Sequence, residues 1–115
     1  MANSAFLQRF LPPWTVITAL TNGLSNQGYI TNAAGTTTVN LPVTSAVGDV
    51  LYLATIQGDF ILNVGVGQTV LLNSGVSSAA GTITSNGVGD NLQIVCAVAD
   101  TTWVETSAGG TLSAV

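Results

Sequence analysis

The side chains able to do acid–base work are few: Asp49, Asp59, Asp90, Asp100, Glu105 and the single cation, Arg9. There is no histidine, so the group that normally shuttles protons near neutral pH is missing. The carboxylates are dispersed, and none stands beside a lysine or histidine in sequence. Hydrolysis of a glycan would need two carboxyl groups about 5–10 Å apart across a cleft, whereas these five fall mostly at turns. Gly48-Asp49 and Gly58-Asp59 recur at strand starts. There glycine supplies an unusual backbone angle and aspartate bonds the backbone. A cation site at either would need several more oxygens converging on it. Cys96 is the only cysteine, so no disulfide can form within the chain. It lies in the apolar run 92–98 with no cation near it in sequence. That setting describes a small core residue rather than an activated thiol. Gly65-Val66-Gly67-Gln68-Thr69-Val70 begins like a dinucleotide loop, but it lacks the third glycine and the helix that would cradle a pyrophosphate. The expectation is a protein that is not an enzyme, with no catalytic residue, cofactor or metal.

A second chemistry open to these residues is ring stacking on sugar. Trp103 lies on a strand surface beside Val104, with Asn and Asp residues close in sequence. Trp103, Tyr52 and Tyr29 are therefore the candidate glycan contacts. Packing in a core or an interface is the competing role for Trp103.

The elements that would carry these residues follow from composition. The chain has 115 residues, 47% of them hydrophobic. That is one domain's length, and domains of this size bury roughly 65% of the unfolded surface. Charged residues make up 5%, against about 25% in ordinary globular domains. A surface is normally kept soluble by charge; this one relies on Thr, Ser, Asn and Gly. Much of it is therefore expected to be covered by other subunits. A net charge of −4 with one arginine leaves no basic footprint for nucleic acid. No apolar stretch approaches the ~20 residues of a membrane-spanning helix, so membrane insertion is not expected. Arg9 could open a signal peptide, but Pro12-Pro13 interrupts the segment and no A-x-A site follows, so no classical export signal is expected.

Phe6, Leu7, Phe10 and Leu11 share one face of a short helix, with Asn3 or Ser4 as its cap. Pro12-Pro13 ends it. Residues 14–20, including Trp14, Val16 and Ile17, read as a strand or extended arm, and Thr21-Asn22-Gly23 as a turn. An N-terminal apolar arm over residues 1–27 and a β domain over 28–115 follow. Phe6, Leu7, Phe10, Leu11, Trp14, Val16 and Ile17 are the assembly residues, since so apolar a terminus is not left in water.

Beyond residue 27 every signal is β. Strands are expected at 36–41, 49–56, 60–64, 69–72, 82–85, 92–98 and 102–106. Gln57-Gly58-Asp59 and Ala99-Asp100-Thr101 serve as hairpin turns, 73–80 as a loop of small residues, and 111–115 as a released tail. Residues 92–98, the most apolar, are the central strand. About eight short strands of this spacing predict an all-β fold, a compact antiparallel sandwich or barrel of jelly-roll type.

Several short pieces recur in a familiar order: Tyr29-Ile30-Thr31-Asn32, Val39-Asn40-Leu41-Pro42-Val43-Thr44, Val47-Gly48-Asp49-Val50, Gly67-Gln68-Thr69-Val70, and the run from Ile94 to Ser107 followed by Gly109 or Gly110. In this order, residues 29–112 resemble a small β module of bacteriophage tail-fibre and related fibre proteins. The resemblance implies a compact β domain packed as a homotrimer that builds a shaft or tip. Such modules usually end long chains, whereas here the domain stands almost alone, and residues 1–27 match nothing in that pattern. The expectation is a self-assembling structural subunit of a virion-bound or extracellular fibre or filament. Its partners would be itself, as trimer or helical filament, and virion proteins. A tip module binding a receptor or cell-surface glycan is the alternative.

Overall fold

The computed structural model describes residues 13–115, Val76 excepted. Phe6, Leu7, Phe10 and Leu11, and the helix expected around them, lie outside the described residues. The fold is all-β. Ten strands form one mixed sheet, with no helix among the described residues: β1 (Trp14–Ile17), β2 (Thr21–Asn22), β3 (Gln27–Asn40), β4 (Val50–Asn63), β5 (Thr69–Leu71), β6 (Ser77–Ala79), β7 (Thr82–Ser85), β8 (Asn91–Val98), β9 (Thr102–Gly109) and β10 (Leu112–Ala114).

Pairing departs from the expected antiparallel pattern. β3 runs parallel to β1 and β2 on one side and to β4 on the other, and β5 runs parallel to β9. The chain thus lays down three successive parallel layers, β1–β2, β3 and β4. β4 then meets antiparallel partners, β8 along Val50–Ala54 and β7 along Ile61–Asn63. The path continues from β8 through β9 and β5 to β6, while β10 closes on β7.

β3 and β4 each have 14 residues. Held straight, such a strand would span about 46 Å, more than the molecule's longest dimension of 42 Å. Both strands must bend, and the register shifts around Asn32–Thr36 mark where. This bend corrects the hairpin expected at Gln57-Gly58-Asp59. The residues before and after it stay paired with the same neighbour, Leu51–Thr55 with Gln27–Thr31 and Asp59–Asn63 with Thr36–Asn40. The buried face switches phase there, from Leu51, Leu53 and Thr55 to Phe60 and Leu62, as an irregular residue in a strand requires. The Thr55 hydroxyl lies 3.0 Å from the carbonyls of both Gln57 and Gly58 at the corner, its one proton shared between them.

Two smaller expectations also change. The loop at 73–80 contains β6, and the tail is not released, because β10 pairs with β7. Ser78 Oγ also donates to the Val115 carbonyl at 2.8 Å. The core gathers Tyr29, Val39, Leu41, Leu51, Leu53, Phe60, Leu62, Val70, Ile83, Leu92, Ile94, Cys96 and Trp103. Residues 92–98 form an interior strand of the sheet, between β4 and β9.

Candidate assembly surface

Four of the five acids spend their carboxylates on backbone amides. Asp90 accepts from Asn86 and Gly87 N–H at 2.7 and 3.1 Å. Asp100 accepts from Ser45 N–H at 2.7 Å, Asp49 from Ala46 N–H at 2.9 Å, and Glu105 from Asn73 N–H at 3.3 Å. Each fastens a turn or loop that would otherwise leave donors unpaired.

The densest set of reactive atoms surrounds Ser45. Its hydroxyl lies 3.3 Å from Cys96 Sγ and accepts the Asp100 N–H at 3.0 Å. The Asp100 carboxylate holds the amide of Ser45, not its hydroxyl, and Cys96 is buried. Among the described residues no base aims at either nucleophile, and the set ties the 41–49 connection to the β8–β9 turn. Among the described residues, no three His, Cys, Asp or Glu side chains converge as a metal site.

Of the candidate glycan contacts, Trp103 is 0% exposed and Tyr29 is buried. Tyr29 Oη accepts the Leu24 N–H at 2.9 Å. Neither ring has a face to offer a sugar. Tyr52 is half-buried on the outer side of β4, with the Trp14 indole edge-on to it at 5.6 Å and 76°. Trp14, Gly28 and Tyr52 form one row across β1, β3 and β4. A Cβ at Gly28 would lie 2.7 Å from the indole, so the glycine is what lets Trp14 lie across β3 and reach Tyr52.

β1 and β2 form an edge. Among the described residues, nothing pairs with their outer side. Such edges are usually blunted by lysine, charge or a bulge; the residues from Trp14 to Leu24 include no charged side chain. Trp14, Val16, Leu20 and Leu24 are all exposed along it, while Ile17 turns inward onto the core. So of the assembly residues described, Trp14 and Val16 face solvent and Ile17 does not.

Where the three parallel layers end, Asn22, Asn40 and Asn63 fall in register. Asn40 Nδ2 donates to Asn22 Oδ1 at 2.8 Å, and Asn63 Nδ2 to Asn40 Oδ1 at 3.1 Å. Stacked asparagines on parallel strands bond in this way. The ladder is directional, and Asn22 Nδ2, at its outer end, has no acceptor among the described residues. Beside it lies a groove of about 600 Å³, lined by the ladder and by Leu24, Ser25, Pro42 and Val43 among others.

No family model and no curated protein matches the chain.

The ladder and the groove escaped the sequence reading. Each asparagine ends a β segment just before Gly, Pro or Val-Gly (Asn22-Gly23, Asn40-Leu41-Pro42, Asn63-Val64-Gly65), which reads as turn punctuation. Only the parallel pairing, invisible in one sequence, stacks them.

Asp49 stands near the groove. It accepts from Asn26 Nδ2 at 3.2 Å, next to the groove residue Ser25. The Ala46 N–H holds its pKa below the ordinary carboxylate range; burial opposes the shift, and Ser25 and Asn26 add to it. A carboxyl whose folded pKa lies below its unfolded value of about 3.9 stabilises the fold above that value. It loses this contribution as pH falls through the folded value. Asp49→Asn is therefore expected to cost about 1 kcal/mol at neutral pH, the size of a typical net hydrogen bond. The gap in Tm between the two proteins should hold down to about pH 5 and close below about pH 4. A gap that persists undiminished at lower pH would disprove this role for the carboxylate.

Proposed function

We propose that this chain is a structural subunit, not an enzyme, that assembles with its own copies into a phage-type or phage-like extracellular fibre or filament. Assembly runs through the β domain and the N-terminal segment. The observation that carries this reading is the uncharged outer edge of β1 and β2, with Trp14, Val16, Leu20 and Leu24 exposed along it. An unprotected edge is a template for another strand. A chain with 5% charged residues has little long-range repulsion to keep copies apart. The reading is also supported by the use of the acids as loop fastenings and by the resemblance of residues 29–112 to a tail-fibre module. The finer architecture proposed is a jelly-roll-like sandwich in which the bent β3 and β4 run through both layers. A repeated head-to-tail contact between copies would grow a filament, and a closed one a trimer.

The full chain is expected to sediment as particles many subunits in mass and to give fibres or discrete spikes in electron micrographs. Removing residues 1–13 is expected to leave a folded β domain in smaller particles. Light scattering that gives the same particle mass after the deletion would rule out a role for that segment, and a full chain that stays monomeric at micromolar concentration would rule out the function.

A further inference from the structure

Asparagine followed by glycine can react with its own backbone. Glycine has no Cβ to shield its nitrogen, and the two reacting groups are held together as neighbours in one chain. The glycine nitrogen attacks the asparagine Cγ, the Cγ–Nδ2 bond breaks, and the proton from the glycine nitrogen leaves with Nδ2 as ammonia. A five-membered succinimide remains. Water then opens it at either carbonyl, giving aspartate or isoaspartate, with no change of oxidation state. The chain has two such pairs, Asn22-Gly23 and Asn86-Gly87. Both asparagines are exposed, so access to water does not separate them. Their tethers do.

Asn22 is held at three points. Its Oδ1 accepts from Asn40 Nδ2 at 2.8 Å, the Gly23 N–H donates to the Asn40 carbonyl at 2.8 Å, and β2 keeps its backbone in register with Asn40. Gly23 is itself buried. Ring closure would break both bonds to Asn40 and turn Asn22 out of the strand. Asn86 follows β7 rather than lying in it, and its side chain has no hydrogen-bond partner among the described residues. The Gly87 N–H donates to Asp90 Oδ2 at 3.1 Å. That acceptor is a carboxylate, a base already in contact with the proton that the reaction removes.

We propose that Asn86-Gly87 is a site of spontaneous self-modification in the folded protein, passing through a succinimide to isoaspartate and aspartate, while the asparagine ladder protects Asn22-Gly23. This chemistry needs no second copy. The change reaches further than one side chain. Asp90 Oδ2 also accepts the Asn86 N–H at 2.7 Å. The same turn is fastened to the β4 corner, through the Gly89 N–H to the Thr55 carbonyl at 2.8 Å and the Thr55 N–H to the Asp90 carbonyl at 3.2 Å. Isoaspartate lengthens the backbone by a methylene and sets a second carboxylate near that of Asp90, where like charges repel. The turn then loses its hold on Thr55.

The full-length chain is incubated folded at mildly alkaline pH, and a second sample in denaturant. Peptide mass spectrometry follows the change from amide to acid at each asparagine, with aspartate and isoaspartate separated by chromatography. In denaturant the two sites are expected to convert at similar rates. In the folded chain Asn86 is expected to convert roughly tenfold faster than Asn22, the factor that one net hydrogen bond adds to a barrier, with isoaspartate among its products. Equal rates in the folded chain, or Asn86 the slower, would overturn the proposal. Aspartate alone at Asn86 would overturn the succinimide in favour of direct hydrolysis. Gly87→Ala supplies the control. Its Cβ would meet nothing within 4 Å and its φ is not positive, so the fold should hold while conversion at Asn86 falls severalfold. An unchanged rate in that variant would exclude attack by the Gly87 nitrogen. Amide exchange at Gly89 and Thr55 should quicken in the aged chain but not in aged Gly87→Ala. Exchange that stays constant while Asn86 converts would remove the effect on the corner.

Discussion

Replacing Trp103 with alanine is expected to remove about 3–5 kcal/mol of stability, the usual cost of emptying a large buried aromatic site. Trp103 heads the largest fully buried side chains, at 0% exposure. It lies in a row with Val70 on β5 and Cys96 on β8, so its ring packs where three strands meet. Losing it opens a cavity between elements that are far apart in sequence and cannot collapse together without breaking register. A domain of this length would lose Tm by roughly 4–8 °C per kcal/mol, a drop of tens of degrees at the upper end. Trp103→Phe separates volume from polarity. The indole Nε1 is buried and has no hydrogen-bond partner among the described residues, and an unpaired buried donor costs about 1–3 kcal/mol. Phenylalanine removes that penalty while keeping most of the ring, so it should retain well over half of the stability lost in the alanine variant. Denaturant titration at one fixed protein concentration checks both, because assembly would otherwise contribute to the apparent stability. A loss below about 1 kcal/mol for Trp103→Ala would mean that this ring does not hold the core together.

Much of the core could be read from alternation alone. Val39 with Leu41, and Leu51 with Leu53, stand two apart in the expected strands 36–41 and 49–56 and are buried together. Residues 92–98 were expected at the centre and lie between β4 and β9. The periodicity fails where one local signal fits two geometries. Gly-Asp after a β segment can close a hairpin or turn a corner, and only the partner strand decides. In this chain one partner, β3, accompanies both halves of β4. Parallel pairing was missed for a similar reason. A period of two says that a residue is on a strand but nothing about which distant strand lies beside it. The candidate surface was half legible. Trp14 and Val16 stood out by residue type, and the structure has both at an open edge. The asparagine ladder depends on residues 18 and 23 positions apart, a spacing set by bends and connections rather than by any local repeat. Trp103 was ambiguous because a strand tryptophan beside polar residues can face either way; its 0% exposure places it in the core.

Gly58→Ala tests the corner itself. Gly58 has φ of +66°, a conformation that costs other residues roughly 1–2 kcal/mol. A Cβ there would also run into the carbonyl oxygens of Gly35 and Ala33 on the neighbouring bend. Those oxygens belong to backbone, which cannot rotate aside as a side chain can, so β3 and β4 would have to separate at the corner. Overpacking of this kind adds about 1–3 kcal/mol, for an expected total of about 2–5 kcal/mol. Gly35→Ala, a few ångströms away, is the control. Its Cβ would meet nothing within 4 Å, and its φ is not positive, so the change should stay within about 1 kcal/mol. The comparison separates two explanations of β4. If 50–63 is one strand bent against β3, Gly58→Ala is far worse than Gly35→Ala. If Gln57-Gly58-Asp59 were instead a hairpin turn clear of residues 33–35, only the strain of the positive φ would remain. The two variants would then differ by no more than about 1–2 kcal/mol. The bend also aligns Asn40 with Asn63 at the far end of the two strands. A corner forced apart in Gly58→Ala should therefore loosen the asparagine ladder as well, seen as faster amide exchange at Asn40 and Asn63 than at residues of β8.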